Sequence, residues 1–248
     1  MTQLYGLIGK TLKHSFSQKY FREKFKKENI SNSDYLLFEL ESIKQFPSLL
    51  ADNPGLCGIN VTIPYKLEVM QFLDQIDDIA KEIGAVNTIK ISNNKTIGYN
   101  TDYLGFMQSL HDWMSPFPSH LKALILGTGG ASKAVAAALK DLQIPYRYVA
   151  RRPDELGFSY QNLQEKKTIL QEHQLIINTT PLGTSPNINE APSIPYETLS
   201  NRHFLYDLVY NPAETLFLKL GKDKGARTKN GLEMLELQAE KAWEIWNS

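Results

Sequence analysis

An apolar run, Leu121-Lys-Ala-Leu-Ile-Leu126, breaks at Gly127-Thr-Gly-Gly-Ala-Ser132 and gives way to an alanine-rich stretch at helical spacing, Ala131 to Leu142. Few folds accommodate that order. A strand that ends in glycines and turns directly into a helix opens a βαβ unit. Its loop leaves backbone N–H groups at a helix N-terminus, where the partial positive charge favours a pyrophosphate. Gly127 allows the tight turn, and Gly129 lets backbone approach a phosphate. The third fingerprint position is Ser132 rather than glycine. The loop is therefore a variant, and alone it would equally describe a plain tight turn.

The next strand sharpens the reading. Tyr146 to Ala150 ends in Arg151 and Arg152, with no carboxylate before Asp154. A chain built for NAD places an acid at this strand end, roughly 20 residues past the loop, to hold the ribose 2′-hydroxyl. Two guanidinium groups suit a 2′-phosphate instead, through paired, charge-assisted hydrogen bonds. The pattern predicts NADP(H); a pair of solvated surface arginines is the plainer alternative.

Strands and helices alternate on both sides of this unit. Upstream, Leu4 to Gly9, Tyr35 to Leu40 and Leu56 to Ile63 read as strands, with helices at Phe16 to Asn29 and Ile43 to Ala51. Val86 to Ile91 and Thr96 to Tyr99 flank Asn93-Asn94, a hairpin tip. Thr101 to Met114 is helical, and Ser115-Pro-Phe-Pro118 interrupts it. Downstream, Gln174 to Asn178 and Phe204 to Leu208 are strands, and Ala213 to Lys222 and Gly231 to Trp246 are helices. This order predicts an α/β chain with parallel pairing. Divided at the proline run, it gives a first half ending near residue 116 and a dinucleotide-binding half from 117, although the linking helix fits either side.

Charge and cysteine use narrow the function classes. Lys plus Arg and Asp plus Glu number 27 each, so no net field recruits nucleic acid or an anionic membrane. Cys57 is the sole cysteine, which excludes an internal disulfide and fits a reducing compartment. No apolar run approaches the roughly 20 residues of a membrane span, and the first residues lack a signal-peptide pattern. A cytoplasmic protein is expected. The one acidic cluster, Asp74, Asp77 and Asp78, reads as helix-capping and solvated side chains rather than a metal site.

The first half carries short polar motifs. His14-Ser15-Phe-Ser17 places two hydroxyls where both could reach one carboxylate, although serines here also cap helices. Asn60 and Thr62 share a strand face by period-two spacing, and Lys66 falls in the turn after Pro64. Gly84-Ala-Val-Asn87-Thr88 and Gly98-Tyr-Asn100-Thr-Asp102 end strands in amides and hydroxyls. A lysine and an aspartate upstream of a dinucleotide loop suggest a proton-handling pair beside a hydride donor, hence an oxidoreductase.

Together these segments resemble the shikimate dehydrogenase family from about Tyr5 to Trp246. The likeness rests on His-Ser-x-Ser at 14–17, Asn-Val-Thr-x-Pro-x-Lys at 60–66, Gly-Ala-x-Asn-Thr at 84–88 and Gly-x-Asn-Thr-Asp at 98–102. The glycine loop, Asn178-Thr-Thr180 and Gly231-Leu-x-Met-Leu-x-x-Gln238 complete it. The resemblance implies a substrate-binding domain at 1–116 plus 232–248, since the helix carrying Gln238 would fold back on the first half, a C-terminal Rossmann-type NADP domain at 117–231, and reversible NADPH-dependent reduction of 3-dehydroshikimate to shikimate. Lys66 and Asp102 would be the catalytic pair. Ser15, Ser17, Asn60, Thr62, Asn87, Tyr210 and Gln238 would bind substrate. Gly127, Thr128, Gly129, Gly130, Ala131, Arg151, Arg152 and Thr179 would bind NADP, with Leu208 and Gly231 on the nicotinamide side.

Four positions depart from the family pattern. Gln18 stands where proline is usual, Ala150 replaces an asparagine, Glu155 sits at an often basic position, and Glu233 replaces a glycine. An NAD-accepting quinate/shikimate dehydrogenase and a nonenzymatic dinucleotide sensor are the alternatives. Retention of both Lys66 and Asp102 argues against the sensor. His14 is a rival acid–base residue whose place before two serines favours loop hydrogen bonding. Monomer and homodimer both remain open.

Overall fold

The structure is a computed structural model that describes residues 2–13, 15–153 and 157–248. The chain divides into two compact units, Met1–Thr101 with Gln238–Ser248, and Asp102–Leu237. His14, Asp154 and Glu155, singled out above, lie outside the described residues.

The first unit runs β1 (Gln3–Gly9), α1 (Phe16–Lys27), β2 (Ser33–Glu39), α2 (Phe46–Asp52), β3 (Leu56–Val61), β4 (Gln75–Ile76), α3 (Asp78–Ile83), β5 (Thr88–Ser92) and β6 (Lys95–Tyr99). Its sheet has the order β2-β1-β3-β5-β6-β4. β1 pairs in parallel with β2 and β3, as alternation predicts. β5 and β6 form the expected hairpin, antiparallel to each other, and the expectation of parallel pairing fails where β5 also runs antiparallel to β3. At the hairpin tip Asn93 and Asn94 both take positive φ, 51° and 57°, which matches the right-handed twist of the flanking strands. β3 also stops at Val61, short of the expected Ile63. Thr62 N–H still donates to Ile8 O at 2.9 Å, and Tyr65 N–H then closes a turn on Thr62 O at 3.0 Å.

Two apolar layers cover this sheet. One gathers Ile8, Ile59, Val61, Val69 and Ile89. The other joins Tyr5, Phe21, Phe25 and Tyr35 to Ala239, Ala242 and Trp246 from the end of the chain. Phe21 and Phe25, four apart on α1, give that helix its buried stripe. Trp246 Nε1–H donates to Ile89 O at 3.0 Å, satisfying the one polar atom of a side chain whose burial contributes about 1.5–3 kcal/mol.

The acidic cluster divides. Asp77 caps α3 by accepting from Ile79 and Ala80 N–H, and Asp78 pairs with Lys81 at the surface. Asp74 departs from the expectation. It is neither a cap nor merely solvated, because its carboxylate accepts from both N–H and Oγ1 of Thr96 at 2.8 Å.

The second unit begins within α4 (Thr101–Met114) and continues β7 (Ala123–Leu126), α5 (Gly130–Asp141), β8 (Tyr146–Ala150), β9 (Phe158–Ser159), α6 (Tyr160–Glu165), α7 (Thr168–Glu172), β10 (Leu175–Asn178), β11 (Phe204–Asp207), α8 (Leu216–Lys222), β12 (Arg227–Lys229) and α9 (Leu232–Asn247), whose later residues join the first unit. Its sheet is wholly parallel, in the order β12-β11-β10-β7-β8-β9. Counted from β7 as the first strand, that is the 3-2-1-4-5-6 order of a Rossmann fold, whose ligands bind at the carboxyl ends of the strands where the order reverses. The core here is Leu124, Leu126, Val149, Leu170, Ile176, Leu205 and Phe217. Among the described residues no helix is long and apolar enough to cross a membrane.

Candidate active site

In the first unit, the amides expected to bind substrate belong to one buried hydrogen-bonded chain. The Tyr35 phenol donates to Asn60 Oδ1 at 2.8 Å, and Asn60 Nδ2 donates to Thr88 Oγ1 at 3.1 Å. The Thr88 hydroxyl meets the Thr101 hydroxyl at 3.0 Å. Asn87 Oδ1 accepts the Thr101 N–H at 2.7 Å, and Asn87 Nδ2 reaches Gln238 Oε1 at 3.5 Å. Asn60, Asn87, Thr88, Thr101 and Gln238 are all buried. Buried amides of this kind are retained when their partners fix one orientation, and here Asn60 and Asn87 are each held at both the oxygen and the nitrogen.

Hydrogen bonds tie the turn carrying Lys66 to the residue before Asn87, and Thr101 to Asn87 within this chain. Val86 N–H donates to Lys66 O at 2.8 Å, so the turn carrying Lys66 is stitched to the residue before Asn87. Thr101, gripped by Asn87, immediately precedes Asp102 in the first turn of α4. Lys66 and Asp102 are each half-buried.

Ser15 stands at the N-cap of α1 yet makes no capping bond. Its Oγ is buried and, among the described residues, has no hydrogen-bond partner. An orphaned buried hydroxyl is costly, which suits a ligand that supplies the missing acceptor. Ser17 lies in the first turn of α1, where its hydroxyl bonds the Tyr35 phenol. Burial holds that phenol far above its ordinary pKa, so it remains a proton donor. Gln18, at the unusual family position, donates to Tyr35 O at 3.2 Å and so ties α1 to β2. Thr62 is half-buried, one residue past the end of β3.

In the second unit the glycine loop has the form the sequence predicts. Gly127 has φ +107°, and a Cβ there would sit 3.0 Å from Thr179 Oγ1 and Thr180 Cγ2. A Cβ on Gly129 would meet nothing within 4 Å. Gly129 is the N-cap of α5, with Gly130 and Ala131 in the first turn and Thr128 exposed before it. Ser132, at the variant position, turns its hydroxyl back onto Gly129 O at 2.6 Å. Thr179 donates its proton to Leu126 O at 2.7 Å, so toward a ligand it offers an acceptor oxygen and a methyl group. Arg151 and Arg152 are exposed just beyond β8. An open glycine cradle at a helix N-terminus, followed by two guanidinium groups, fits NADP.

Leu208 and Gly231 touch: a Cβ on Gly231 would lie 2.2 Å from Leu208 O. Gly231 N–H also donates to Val209 O at 3.2 Å. Tyr210 is half-buried on the same segment, and burial raises its phenol above the ordinary range. Glu233, in place of a glycine, accepts from the Ser109 hydroxyl at 2.7 Å and pairs with Lys229.

Sequence reasoning missed Tyr35, Thr88 and Thr101 as members of the buried chain. Thr88 and Thr101 lay inside quoted motifs and could have been singled out. Tyr35 carries no local signal, since its place beside Asn60 depends on strand order.

Comparison with known proteins agrees with this geometry. Residues 7–89 match the family described as the shikimate dehydrogenase substrate binding domain. The chain is 41% identical to the NADP(+) shikimate dehydrogenase of Clostridium beijerinckii over 98% of its own length and 92% of that protein's. A crystal structure of shikimate dehydrogenase in complex with NADP+ superposes with a TM-score of 0.86 at 35% identity, covering 99% of this chain and 90% of that one. The Thermus thermophilus enzyme, in complex with NADP(H) and shikimate, gives 0.85 at 27% identity, covering 99% and 93%.

Proposed function

The chain belongs to the shikimate dehydrogenase family, and we propose that it catalyses the reversible NADPH-dependent reduction of 3-dehydroshikimate to shikimate, on the route to chorismate and the aromatic amino acids. The observation that carries the reading is the double hold at the Val86–Asn87 step: one N–H on Lys66 O and one side-chain oxygen on Thr101 N–H. It fixes the backbone of an acid–base lysine and of the residue before an aspartate to a single strand entry.

NADPH, when bound, supplies a hydride to the ketone carbon. The Lys66 ammonium gives a proton to the oxygen on which negative charge develops, then regains one from water. Asp102 orients that ammonium and accepts a hydrogen bond from a neighbouring substrate hydroxyl. Ser15 and Ser17 donate to the substrate carboxylate, and the Ser15 oxygen, without a partner among the described residues, supports this role. Asn60, Thr62, Asn87, Gln238 and Tyr210 hold the ring hydroxyls and the carboxylate. Gly127 to Ala131 cradle the pyrophosphate, Arg151 and Arg152 the 2′-phosphate, and Thr179, Leu208 and Gly231 meet the nicotinamide half. Binding held by so many fixed polar groups orients the reactants before reaction.

The enzyme acts on small molecules, as a monomer or homodimer, with functional domains at 1–116 plus 232–248 and 117–231, whereas the compact units part at Thr101 and Gln238. A cytoplasmic location fits its single cysteine. The test is a spectrophotometric assay with saturating shikimate and NADP+. NADPH formation is expected, with slower turnover on NAD+ and on quinate. Tight NADP+ binding without reduction would favour a dinucleotide sensor on the same fold.

A further inference from the structure

Asp207, the last residue of β11, is completely buried. Its Oδ1 accepts from Asn178 Nδ2 at 2.9 Å and from the Val209 N–H at 3.0 Å, and its Oδ2 accepts from Thr215 Oγ1 at 2.6 Å. One of these donors has no alternative. Asn178 spends its side-chain oxygen on the N–H and hydroxyl of Thr180, at 3.0 and 2.7 Å, which leaves only its amide nitrogen to face Asp207. Thr215 accepts the Leu218 N–H at 3.3 Å as the N-cap of α8, and the same hydroxyl meets the Asp207 carboxyl, so one side chain joins the helix start to the strand end. Oδ1 meets two N–H groups and is therefore an acceptor only, whereas Oδ2 faces a hydroxyl, which donates to it when Asp207 carries a carboxylate's charge.

Burial opposes that charge, and the three donors are all neutral. A buried carboxylate held by neutral donors costs stability, and such sites cluster where geometry serves function. Here the carboxylate holds backbone. Through Val209 N–H it fixes the residue between Leu208 and Tyr210, and Val209 O in turn receives Gly231 N–H. Leu208 N–H donates to Asn178 O at 3.0 Å, and Gly231 packs directly on Leu208 O. One side chain therefore sets the strand end, the start of α8 and the turn before α9.

We propose that Asp207 is a positioning residue for hydride transfer, locking the Leu208–Tyr210 backbone and Gly231 so that the nicotinamide and substrate keep one mutual placement, while touching neither. The inference rests on the proposed function, which assigns those three residues to the nicotinamide and substrate.

The experiment compares the full-length wild type with Asp207→Asn, Thr215→Val and Thr215→Ser. Asp207→Asn keeps size but presents an amide where Thr215 needs an acceptor. NADP+ affinity should stay within about threefold, because the phosphate contacts are elsewhere. Turnover should fall by about 10- to 100-fold, as expected for a small misplacement of reacting groups. The kinetic isotope effect with NADPH deuterated at the transferred position should rise, a readout that general loosening of the fold does not predict. Thr215→Val should behave likewise and Thr215→Ser like wild type. If Asp207→Asn does not fold, the two Thr215 variants decide. Wild-type turnover and isotope effect in Asp207→Asn or in Thr215→Val would overturn the positioning role and leave the proposed function intact. A wild type that does not oxidise shikimate at all would overturn both.

Discussion

The side-chain oxygen of Asn87 accepts the backbone N–H of Thr101 at 2.7 Å, and through that bond a strand end fixes the start of the helix carrying Asp102. Asn87→Ala strands a buried N–H and removes a partner from Gln238. Such a loss costs about 1–3 kcal/mol, so the melting temperature should drop. Turnover should fall by about 100-fold as Asp102 loses its reference. Thermal unfolding and steady-state kinetics test the two effects separately, and wild-type values in both would deny the bond any role.

Lys66→Ala should lower kcat by about 10²- to 10⁴-fold, the usual worth of a positioned acid–base group. NADP+ affinity measured by fluorescence titration should be unchanged. Near-normal turnover in this variant would take the lysine out of the reaction.

Arg151→Ala and Arg152→Ala should each raise the KM for NADPH by about tenfold or more, since a charge-assisted hydrogen bond contributes about 1.5–3 kcal/mol. KM for NADH should barely move. If both coenzymes respond alike, the arginines do not read the 2′-phosphate.

Burial raises the Asp207 carboxyl from its ordinary 3.8 to about 6. Between those values the folded protein holds a proton that the unfolded chain has released. The contribution of Asp207 to stability is therefore fully present below about pH 4 and is lost as pH rises to about 6, by about 3 kcal/mol. Denaturant unfolding of wild type and Asp207→Asn across this window should show the variant gaining on the wild type as pH rises. A pH-independent difference would mean that the folded carboxyl titrates at its ordinary value.

Gly58→Ala should destabilise the first unit by about 1–3 kcal/mol, because a Cβ there would lie 2.4 Å from the Trp246 indole. Tryptophan fluorescence and melting temperature report it. An unaltered melt would show that the end of α9 gives way without cost.

Long periodic elements could be read from the sequence, and short or non-local features could not. α4 matches its expected limits because apolar spacing runs its full length. The five residues of α7 and the three of β12 are too short to show a period. α8 begins at Leu216 rather than at the expected Ala213, because Thr215, held by Asp207, is its cap. That contact is invisible in local composition. In the site, Lys66, Asn87 and Asp102 stood out through motif spacing, whereas Tyr35 reaches Asn60 only because β1 lies between β2 and β3.

Ala239, Ala242 and Trp246 complete the core around Tyr5 and Phe21, and this reverses the order of maturation during synthesis. The segment Asp102–Leu237 is continuous and can close as soon as it leaves the ribosome. The half made first must wait, its aromatic face uncovered, until Gln238–Ser248 has been made.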